Sequence, residues 1–281
     1  KQSIYLSPGA DGAIKSVFEA LISKGDNVLC LEPTYQMYEV YAKIFRANFK
    51  GIRLNDGFNI DIKALKGMVT RCSAIFIANP NQPTGSLLSK RKITEILNLA
   101  KKNNALVVID EAYYPFSECT SIGLVKKYSN LVVIRSFSKA FGMAGLRLGY
   151  AVGDKKLINI LSKTHSAYPV NNFALGIGSL LLKRPSECLN YVKQVKQSIK
   201  TYTPKINKLG CNVLPTHTNF INIQLPNTIR SMDVVSSLRK KKILVRGSYK
   251  HPALENSIRV TVPDMKNMKI FYNKFEHIIK N

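Results

Sequence analysis

Residues 131–147 read LVVIRSFSKAFGMAGLR. The stretch opens with four consecutive apolar residues, 131–134, which predict a buried strand. Two serines and a lysine come directly after it, Ser136, Ser138 and Lys139, and small residues follow. Lys139 therefore stands just past a strand end, the place where open α/β sheets bind their ligands.

The chemistry of this stretch depends on whether its lysine lies in a site or on the surface. A lysine partly removed from water can lose its proton and attack a carbonyl group to form a Schiff base. Ser136, Ser138 and Arg147 are suited to holding an anion, most simply a phosphate. Because the chain has 42 lysine and arginine residues, a solvated surface lysine is the alternative that the stretch alone leaves open.

The composition is that of a soluble globular protein, with 45% hydrophobic and 21% charged residues among 281, enough for one large domain or two smaller ones. We expect no membrane helix and no signal peptide, because no apolar run approaches roughly 20 residues. The five cysteines have no close spacing. This argues against a disulfide framework and a zinc site and favours a reducing cytoplasm.

The formal net charge of +25 would suit nucleic acid, an anionic surface or acidic small molecules. The basic residues are scattered, however, and residues 239–242 form nearly the only cluster. No recognised nucleic-acid motif accompanies them. We interpret the charge as a compositional bias toward lysine, isoleucine and asparagine, and expect no nucleic-acid partner.

Up to residue 113 the sequence alternates buried strands with amphipathic helices, which implies parallel strands joined by crossover helices. The predicted strands are residues 27–31, 48–53, 74–78 and 105–109, and the predicted helices are 14–22, 37–44, 61–68 and 89–103. Polar clusters follow the strands at residues 33–35, 79–85, 110–113 and 136–139. Since the carboxyl ends of parallel strands meet at one edge, we predict a single ligand site there.

Beyond residue 153 the pattern changes to α+β. Helices are predicted at 155–166, 172–182, 186–208, 232–240 and 265–279, and short strands at 219–223, 243–245 and 257–261. We therefore expect an α/β fold with a mostly parallel central sheet flanked by helices in a large domain, residues 1–180. A smaller α+β C-terminal domain would occupy residues 181–281.

The first predicted helix is preceded by SPGADG, residues 7–12. Glycine and small residues at a helix start leave backbone N–H groups free to bind an anion, and Ala10 and Asp11 would supply them. An ordinary N-cap role for Asp11 is the alternative.

In this order the motifs resemble the fold-type I, pyridoxal-phosphate-dependent aminotransferases of class I and II, most of all the histidinol-phosphate aminotransferase branch. The resemblance covers almost the whole chain. It rests on Gly9-Ala-Asp11, Pro33-Thr-Tyr35, Asn79-Pro-Asn-Gln-Pro-Thr-Gly85, Asp110-Glu-Ala-Tyr113, Ser136-Phe-Ser-Lys139, Gly145-Leu-Arg147 and Ser257-Ile-Arg-Val-Thr261.

The resemblance implies three catalytic residues. Lys139 would carry pyridoxal 5'-phosphate as a Schiff base and later move a proton between the substrate carbon and the cofactor. Asp110 would pair with the protonated pyridine nitrogen, so that the ring remains an electron sink. Tyr113 would donate to the cofactor's phenolic oxygen, and Tyr35 would stack on the ring.

The resemblance also implies how anions are held. The backbone amides of Ala10 and Asp11 and the side chains of Ser136, Ser138 and Arg147 would bind the cofactor phosphate.

Two arginines are the implied substrate-binding residues. Arg259 matches the arginine that binds the substrate carboxylate, and the planar groups suit a bidentate contact. Arg246 stands where the branch has a second arginine for a distal anion, with a solvated loop charge as the alternative.

Two departures from the family pattern stand out. Gln82 occupies the position before Pro-Thr-Gly where the family has an asparagine that contacts the phenolic oxygen, with Asn79 and Asn81 as nearby alternatives. The chain also opens where family members already have a substantial segment, which usually carries substrate contacts and a tyrosine for the neighbouring subunit's cofactor. We therefore expect a fragment or an absent segment, and a homodimer by resemblance.

The activity that follows is amino transfer between glutamate or 2-oxoglutarate and a small, phosphorylated amine or keto substrate. A decarboxylase of phosphorylated amino acids would use the same lysine and aspartate. The non-enzymatic alternative is a sensor domain of a transcription regulator that has no catalytic activity.

Overall fold

The computed structural model describes residues 3–164, 166–247, 249 and 251–280. The strands are β1 (Ile4–Ser7), β2 (Asn27–Glu32), β3 (Asn48–Arg53), β4 (Ala74–Ala78), β5 (Leu106–Asp110), β6 (Leu131–Ser136), β7 (Gly149–Gly153), β8 (Asn212–Val213), β9 (Phe220–Gln224), β10 (Arg246–Gly247) and β11 (Ser257–Thr261). The α-helices are α1 (Gly9–Leu21), α2 (Met37–Ile44), α3 (Ile62–Val69), α4 (Lys90–Lys102), α5 (Lys155–Leu161), α6 (Asn172–Lys183), α7 (Pro185–Asn207), α8 (Ser231–Lys240) and α9 (Met265–Lys280).

The first sheet has seven strands in the order β1-β7-β6-β5-β4-β2-β3. Strands β2 to β6 pair in parallel. At one edge β7 runs antiparallel to β6, and β1 runs antiparallel to β7. The mostly parallel α/β sheet expected from the sequence is confirmed.

The central strands β4, β5 and β6 are apolar except at their carboxyl ends, because helices cover both faces of the sheet. Successive side chains of β4 point to opposite faces. Ile75 and Ile77 join one core cluster with α3 and α4 residues, while Phe76 packs with α1 residues such as Phe18 in a second cluster. The rings of Phe18 and Phe76 stack with centroids 4.7 Å apart.

The second sheet has four strands in the order β10-β11-β9-β8, all paired antiparallel. Its inner face packs against α7, α8 and α9 through a separate core cluster that includes Ile221, Ile258, Leu238 and Phe275. The predicted domain boundary near residue 180 falls within α6.

Three predicted elements differ from the structure. The helix predicted over 14–22 already begins at Gly9. The strand predicted at 243–245 is wrong, because the Ile243 N–H bonds to the Leu238 carbonyl and finishes α8, and Leu244 is 81% exposed. The strand β10 begins only at Arg246. The helix predicted over 155–166 ends at Leu161, where the Thr164 hydroxyl donates to the Leu161 carbonyl.

Among the described residues, no helix is both long and apolar enough to cross a membrane. The same residues contain no group of three or more His, Cys, Asp or Glu side chains arranged to hold a metal ion.

Candidate functional site

The polar clusters that follow the strands meet at one cavity. Ala78, Asp110 and Ser136 are the last residues of β4, β5 and β6, at the same edge of the sheet. A cavity of about 190 Å³ opens there. It is lined by all ten residues that the resemblance assigns to the cofactor: Ala10, Asp11, Tyr35, Gln82, Asp110, Tyr113, Ser136, Ser138, Lys139 and Arg147.

Asp110 is a buried carboxylate, 6% exposed, at the floor of this cavity. One oxygen accepts the Ala112 N–H at 2.9 Å, and the other accepts the Tyr38 hydroxyl at 3.1 Å. Burial raises the pKa of Asp110 from 3.8 to about 6, although both hydrogen bonds and the nearby Lys139 charge act to lower it. The loss of hydration therefore outweighs the compensation that the protein provides.

Lys139 is half-buried, and its Nζ lies 5.5 Å from the ring centroid of Tyr113. Burial and the positive charge of Arg259 lower the pKa of Lys139, while Asp110 raises it. A lowered pKa increases the fraction of neutral amine near neutral pH, and the neutral amine is the nucleophilic form.

Gln82 and Tyr113 form a hydrogen-bonded pair at the cavity wall. The Tyr113 hydroxyl donates to Gln82 Oε1 at 2.6 Å. The alternatives to Gln82 turn away from the cavity to brace their own loop: Asn79 exchanges two hydrogen bonds with the backbone of Leu88, and Asn81 donates to the Pro33 carbonyl. The longer amide of Gln82 thus occupies the cavity, and the neighbouring asparagines do not line it.

The opposite end of the cavity is built for an anion. The Arg147 guanidinium approaches the start of α1 so closely that a Cβ on Gly9 would lie 2.8 Å from Arg147 Nη2. Gly9 also has a φ of +79°, a backbone conformation that residues with a side chain rarely adopt. Ser136 Oγ accepts the Ser138 N–H at 3.0 Å, which turns this loop toward the same end.

Asp11 is not the N-cap that the alternative proposed, because α1 already begins at Gly9. Its carboxylate instead accepts the hydroxyls of Tyr35 at 3.4 Å and Tyr41 at 2.9 Å. Burial, and then the negative charges of Asp11 and Asp110, raise the pKa of Tyr35 to about 12.

Tyr38 is a site residue that sequence reasoning missed. It is fully buried and donates directly to Asp110. Tyr38 and Tyr41 are three residues apart in α2 and share one face of that helix, and Tyr35, three residues before Tyr38, lies just ahead of the helix start at Met37. That spacing was the available signal, because Tyr35 was already a predicted site residue.

A buried ion pair braces the strand ends beside the cavity. Glu111 follows Asp110, Arg135 precedes Ser136, and the Arg135 and Glu111 side chains meet at 3.0 Å. The Arg135 guanidinium also lies 3.6 Å from the ring centroid of Tyr114. The pair links β5 to β6 next to the residues that line the site.

The two predicted substrate arginines face each other across strands. Arg246 of β10 pairs in register with Arg259 of β11, and both line a concavity of about 530 Å³ that shares Tyr35 and Gln82 with the first cavity. The Arg259 guanidinium lies 5.0 Å from the ring centroid of Phe220. Like charges directly opposite each other destabilise a strand pair, so an anion between them would relieve a cost.

Comparisons with known proteins agree with this fold. Residues 1–275 match the family described as aminotransferase class I and II. The histidinol-phosphate aminotransferase of Brachyspira hyodysenteriae (strain ATCC 49526 / WA1) is 38% identical over 99% of this chain and 78% of its own length. The crystal structure of the histidinol-phosphate aminotransferase from Clostridium acetobutylicum superposes with a TM-score of 0.92 at 26% identity, covering 99% of this chain and 84% of that chain.

A decarboxylase shares the same fold. L-threonine-O-3-phosphate decarboxylase from Porphyromonas gingivalis superposes with a TM-score of 0.84 at 22% identity, covering 100% of this chain and 84% of that chain. Identity at that level shows the fold alone, so the family match and the 38% identical relative favour the aminotransferase over the decarboxylase and sensor alternatives. The fold, the cofactor class and the transaminase activity expected from the motifs are confirmed. The chain belongs to the aminotransferase class I and II family, whose members use pyridoxal 5'-phosphate.

Proposed function

We propose that this chain moves an amino group between glutamate or 2-oxoglutarate and a small phosphorylated amine or its keto counterpart. The names of its relatives, histidinol-phosphate aminotransferases, support a phosphorylated substrate. One observation carries the proposal. The cavity that holds Lys139 and Asp110 adjoins a concavity with two facing arginines, Arg246 and Arg259. Two arginines suit both the dicarboxylate glutamate and a phosphorylated amine.

The residues of the cavity fit pyridoxal 5'-phosphate. A buried carboxylate such as Asp110, with its pKa raised to about 6, is stabilised by a cation, and a protonated ring nitrogen supplies one. The anion end with Arg147, Ser136 and Ser138 suits a phosphate. When bound, the cofactor supplies the aldehyde that accepts the amino group and the ring that stores the electron pair of the substrate carbon.

Lys139 would bind the cofactor covalently through Nζ, and its lowered pKa favours the neutral amine that this bond requires. Once released by substrate, the same Nζ would take the proton from the amine-bearing carbon and pass it to the cofactor, as net amino transfer requires. Asp110 would hold the ring-nitrogen proton through its carboxylate. The Tyr113 hydroxyl, kept by Gln82 at 2.6 Å, would face the phenolic oxygen.

We propose that the two sheets belong to two domains with different roles. Residues 1–180 would form the domain that binds the cofactor, and residues 181–281 would form the smaller domain that supplies Arg246 and Arg259 to the substrate. Both arginines belong to the four-stranded sheet, which supports this division.

We further propose that the chain acts as a homodimer in the cytoplasm. The support is α6 and the segment before it, whose large apolar side chains are exposed: Tyr168, Phe173, Leu175, Ile177, Leu180 and Leu182. Tyr168 is 90% exposed and Phe173 is 83% exposed. Phe173, Ile177 and Leu180 recur at intervals of four and three residues and share one face of α6, and exposed apolar surface of this kind is typical of an interface. In sedimentation experiments we expect the wild-type chain to be a dimer and the Phe173→Asp variant to shift toward the monomer.

The function is tested by incubating the cofactor-loaded chain with glutamate and a phosphorylated keto acceptor. Formation of 2-oxoglutarate together with the aminated acceptor is the expected result. Release of carbon dioxide without amino transfer would establish the decarboxylase, and a chain that binds the cofactor but transforms no amine would establish the sensor.

The hydroxyl of Tyr38 is expected to control the pH at which the cofactor binds. In Tyr38→Phe the carboxylate of Asp110 loses a donor, so its pKa rises above about 6. Asp110 must ionise to hold the ring nitrogen, and binding should therefore weaken about two- to tenfold at neutral pH. Cofactor titrations at several pH values should show that the pH at which binding reaches half its maximum is higher in Tyr38→Phe than in the wild type. Tyr41→Phe is the matched control, because its hydroxyl bonds to Asp11 instead, and an equal shift there would contradict the prediction.

The two arginines are expected to separate the substrates. Arg259→Gln should raise the KM for glutamate by about 10- to 100-fold, because a hydrogen-bonded carboxylate loses its charged partner. It should affect an amine without a carboxylate much less. Arg246→Gln should raise KM for both substrates, since each has a distal anion. Steady-state kinetics would measure these KM values, with a substitution of the exposed Arg239, Arg239→Gln, as control. Equal effects of the Arg259 and Arg246 variants on both substrates would contradict the roles proposed for the two arginines.

A further inference from the structure

Asn222 stands out in the four-stranded sheet because it is a polar residue inside an apolar strand. It lies in β9 between Ile221 and Ile223, is 1% exposed, and pairs in register with Arg259. Its Nδ2 donates to the carbonyls of Pro83 at 2.8 Å and Thr84 at 3.2 Å. Its Oδ1 has no hydrogen-bond partner among the described residues, which is a cost that an apolar residue would avoid.

The loop that Asn222 holds is the one that carries Gln82. From the side of the seven-stranded sheet, Asn79 and Asn81 already anchor residues 79–85. From the side of the four-stranded sheet, the His217 N–H bonds to the Gly85 carbonyl, and Asn222 provides the two bonds nearest Gln82. Without Asn222, the carbonyls directly after Gln82 would lose their side-chain donor.

The same face of β9 also supports the partner of Gln82. Residues two apart on a strand point to one face, so Phe220 and Asn222 lie side by side. The ring of Phe220 meets the Tyr113 ring edge-on with centroids 5.5 Å apart. The strand β9 therefore supports both members of the Tyr113–Gln82 pair. Phe220 contacts Tyr113 directly, and Asn222 acts on Gln82 through the loop that carries it.

We propose that Asn222 is a positioning residue that fixes Gln82, and through it the Tyr113 hydroxyl, in the cofactor cavity. The inference rests on the proposed function for the meaning of that hydroxyl. Where the family has a shorter asparagine, this chain has Gln82, whose extra rotatable bond needs more restraint. Asn222 supplies that restraint from the strand pair that also holds Arg259, so the substrate-binding sheet orients a group that touches the cofactor.

Asn222→Leu tests this proposal, with Asn130→Leu as the matched control. Asn130 also donates one side-chain bond to a carbonyl, that of Ala105, and also has an unpartnered Oδ1, but it precedes β6 at the far end of the sheet. In the full chain without cofactor, hydrogen exchange of residues 79–86 should be at least about fivefold faster in Asn222→Leu and unchanged in Asn130→Leu. Asn222→Thr suits a strand but is too short to reach both carbonyls, so it should act in the same direction if the leucine variant does not fold.

The second readout is the absorbance of the bound cofactor as a function of pH. The midpoint of this pH titration should move by about 0.5 pH units or more in Asn222→Leu, because a displaced Tyr113–Gln82 pair no longer presents the same hydrogen-bonding groups to the phenolic oxygen. Wild-type values of both readouts in the Asn222 variants, or equal changes in Asn130→Leu, would overturn the proposal. A wild-type chain that forms no covalent bond to the cofactor would refute the proposed function instead, while loop exchange still decides the role of Asn222.

Discussion

Lys139→Ala is expected to lower the rate of amino transfer at saturating substrate by at least about 10⁴-fold, because it removes both the covalent anchor and the proton carrier. Cofactor binding should persist through the anion end with Arg147, since that contact is independent of the lysine. Lys139→Arg should be equally inactive, because a guanidinium remains protonated. The measurement is single-turnover conversion of glutamate, alongside cofactor binding by absorbance.

The covalent bond can be located directly. Borohydride reduction of the loaded wild-type chain should leave the pyridoxyl group on the peptide that contains Lys139. The exposed Lys156→Ala serves as the control and should keep both the label and the activity. Labelling of a different lysine, or transfer activity in Lys139→Ala near that of the wild type, would remove Lys139 from its proposed role.

The central sheet could be predicted from the sequence because its strands are buried on both faces. The run of β4 is entirely apolar, that of β5 is apolar up to its last residue, Asp110, and each strand ends at a polar cluster. Their common direction follows from the crossover helices, so the gathering of the four clusters at one edge could be predicted as well. The antiparallel pairing of β1 and β7 follows from no local pattern, because the partner of a strand is not encoded in its own periodicity.

The residues missed by the sequence analysis are those whose partners are far away in the chain. Tyr38 reads as one more apolar position of α2, and its hydroxyl has meaning only because Asp110 lies 72 residues away in sequence. Asn222 is separated from Pro83 by 139 residues. A polar residue within an apolar strand is a local signal of such a partner, but it does not identify the partner. The strand β10 was misplaced by three residues for the same reason, since pairing with β11 sets its position.

Asp110→Asn is expected to lower amino transfer by about 10³-fold, because a neutral amide cannot stabilise the protonated ring nitrogen. Tyr38 and the Ala112 N–H remain to hold the amide in nearly the same place, so the loss should fall on the rate rather than on substrate binding. A full kinetic comparison with the exposed Asp56→Asn, which removes the same charge from the surface, separates a local effect from a change in net charge.

The same substitution should stabilise the chain when the cofactor is absent. The pKa of Asp110 is raised in the folded state from 3.8 to about 6, so its contribution to stability is fully present below the unfolded pKa and is lost as pH rises through about 6. That loss amounts to about 3 kcal/mol by pH 8. Asp110→Asn does not ionise, and its free energy of unfolding without cofactor should exceed that of the wild type by up to this amount at pH 8. The difference should largely disappear near pH 4.

Urea denaturation at both pH values measures this difference in the free energy of unfolding. A variant less stable than the wild type at pH 8 would mean that Asp110 already has its full complement of partners. The cofactor would then relieve no buried charge, and the fit between this cavity and a protonated ring would lose its main physical support.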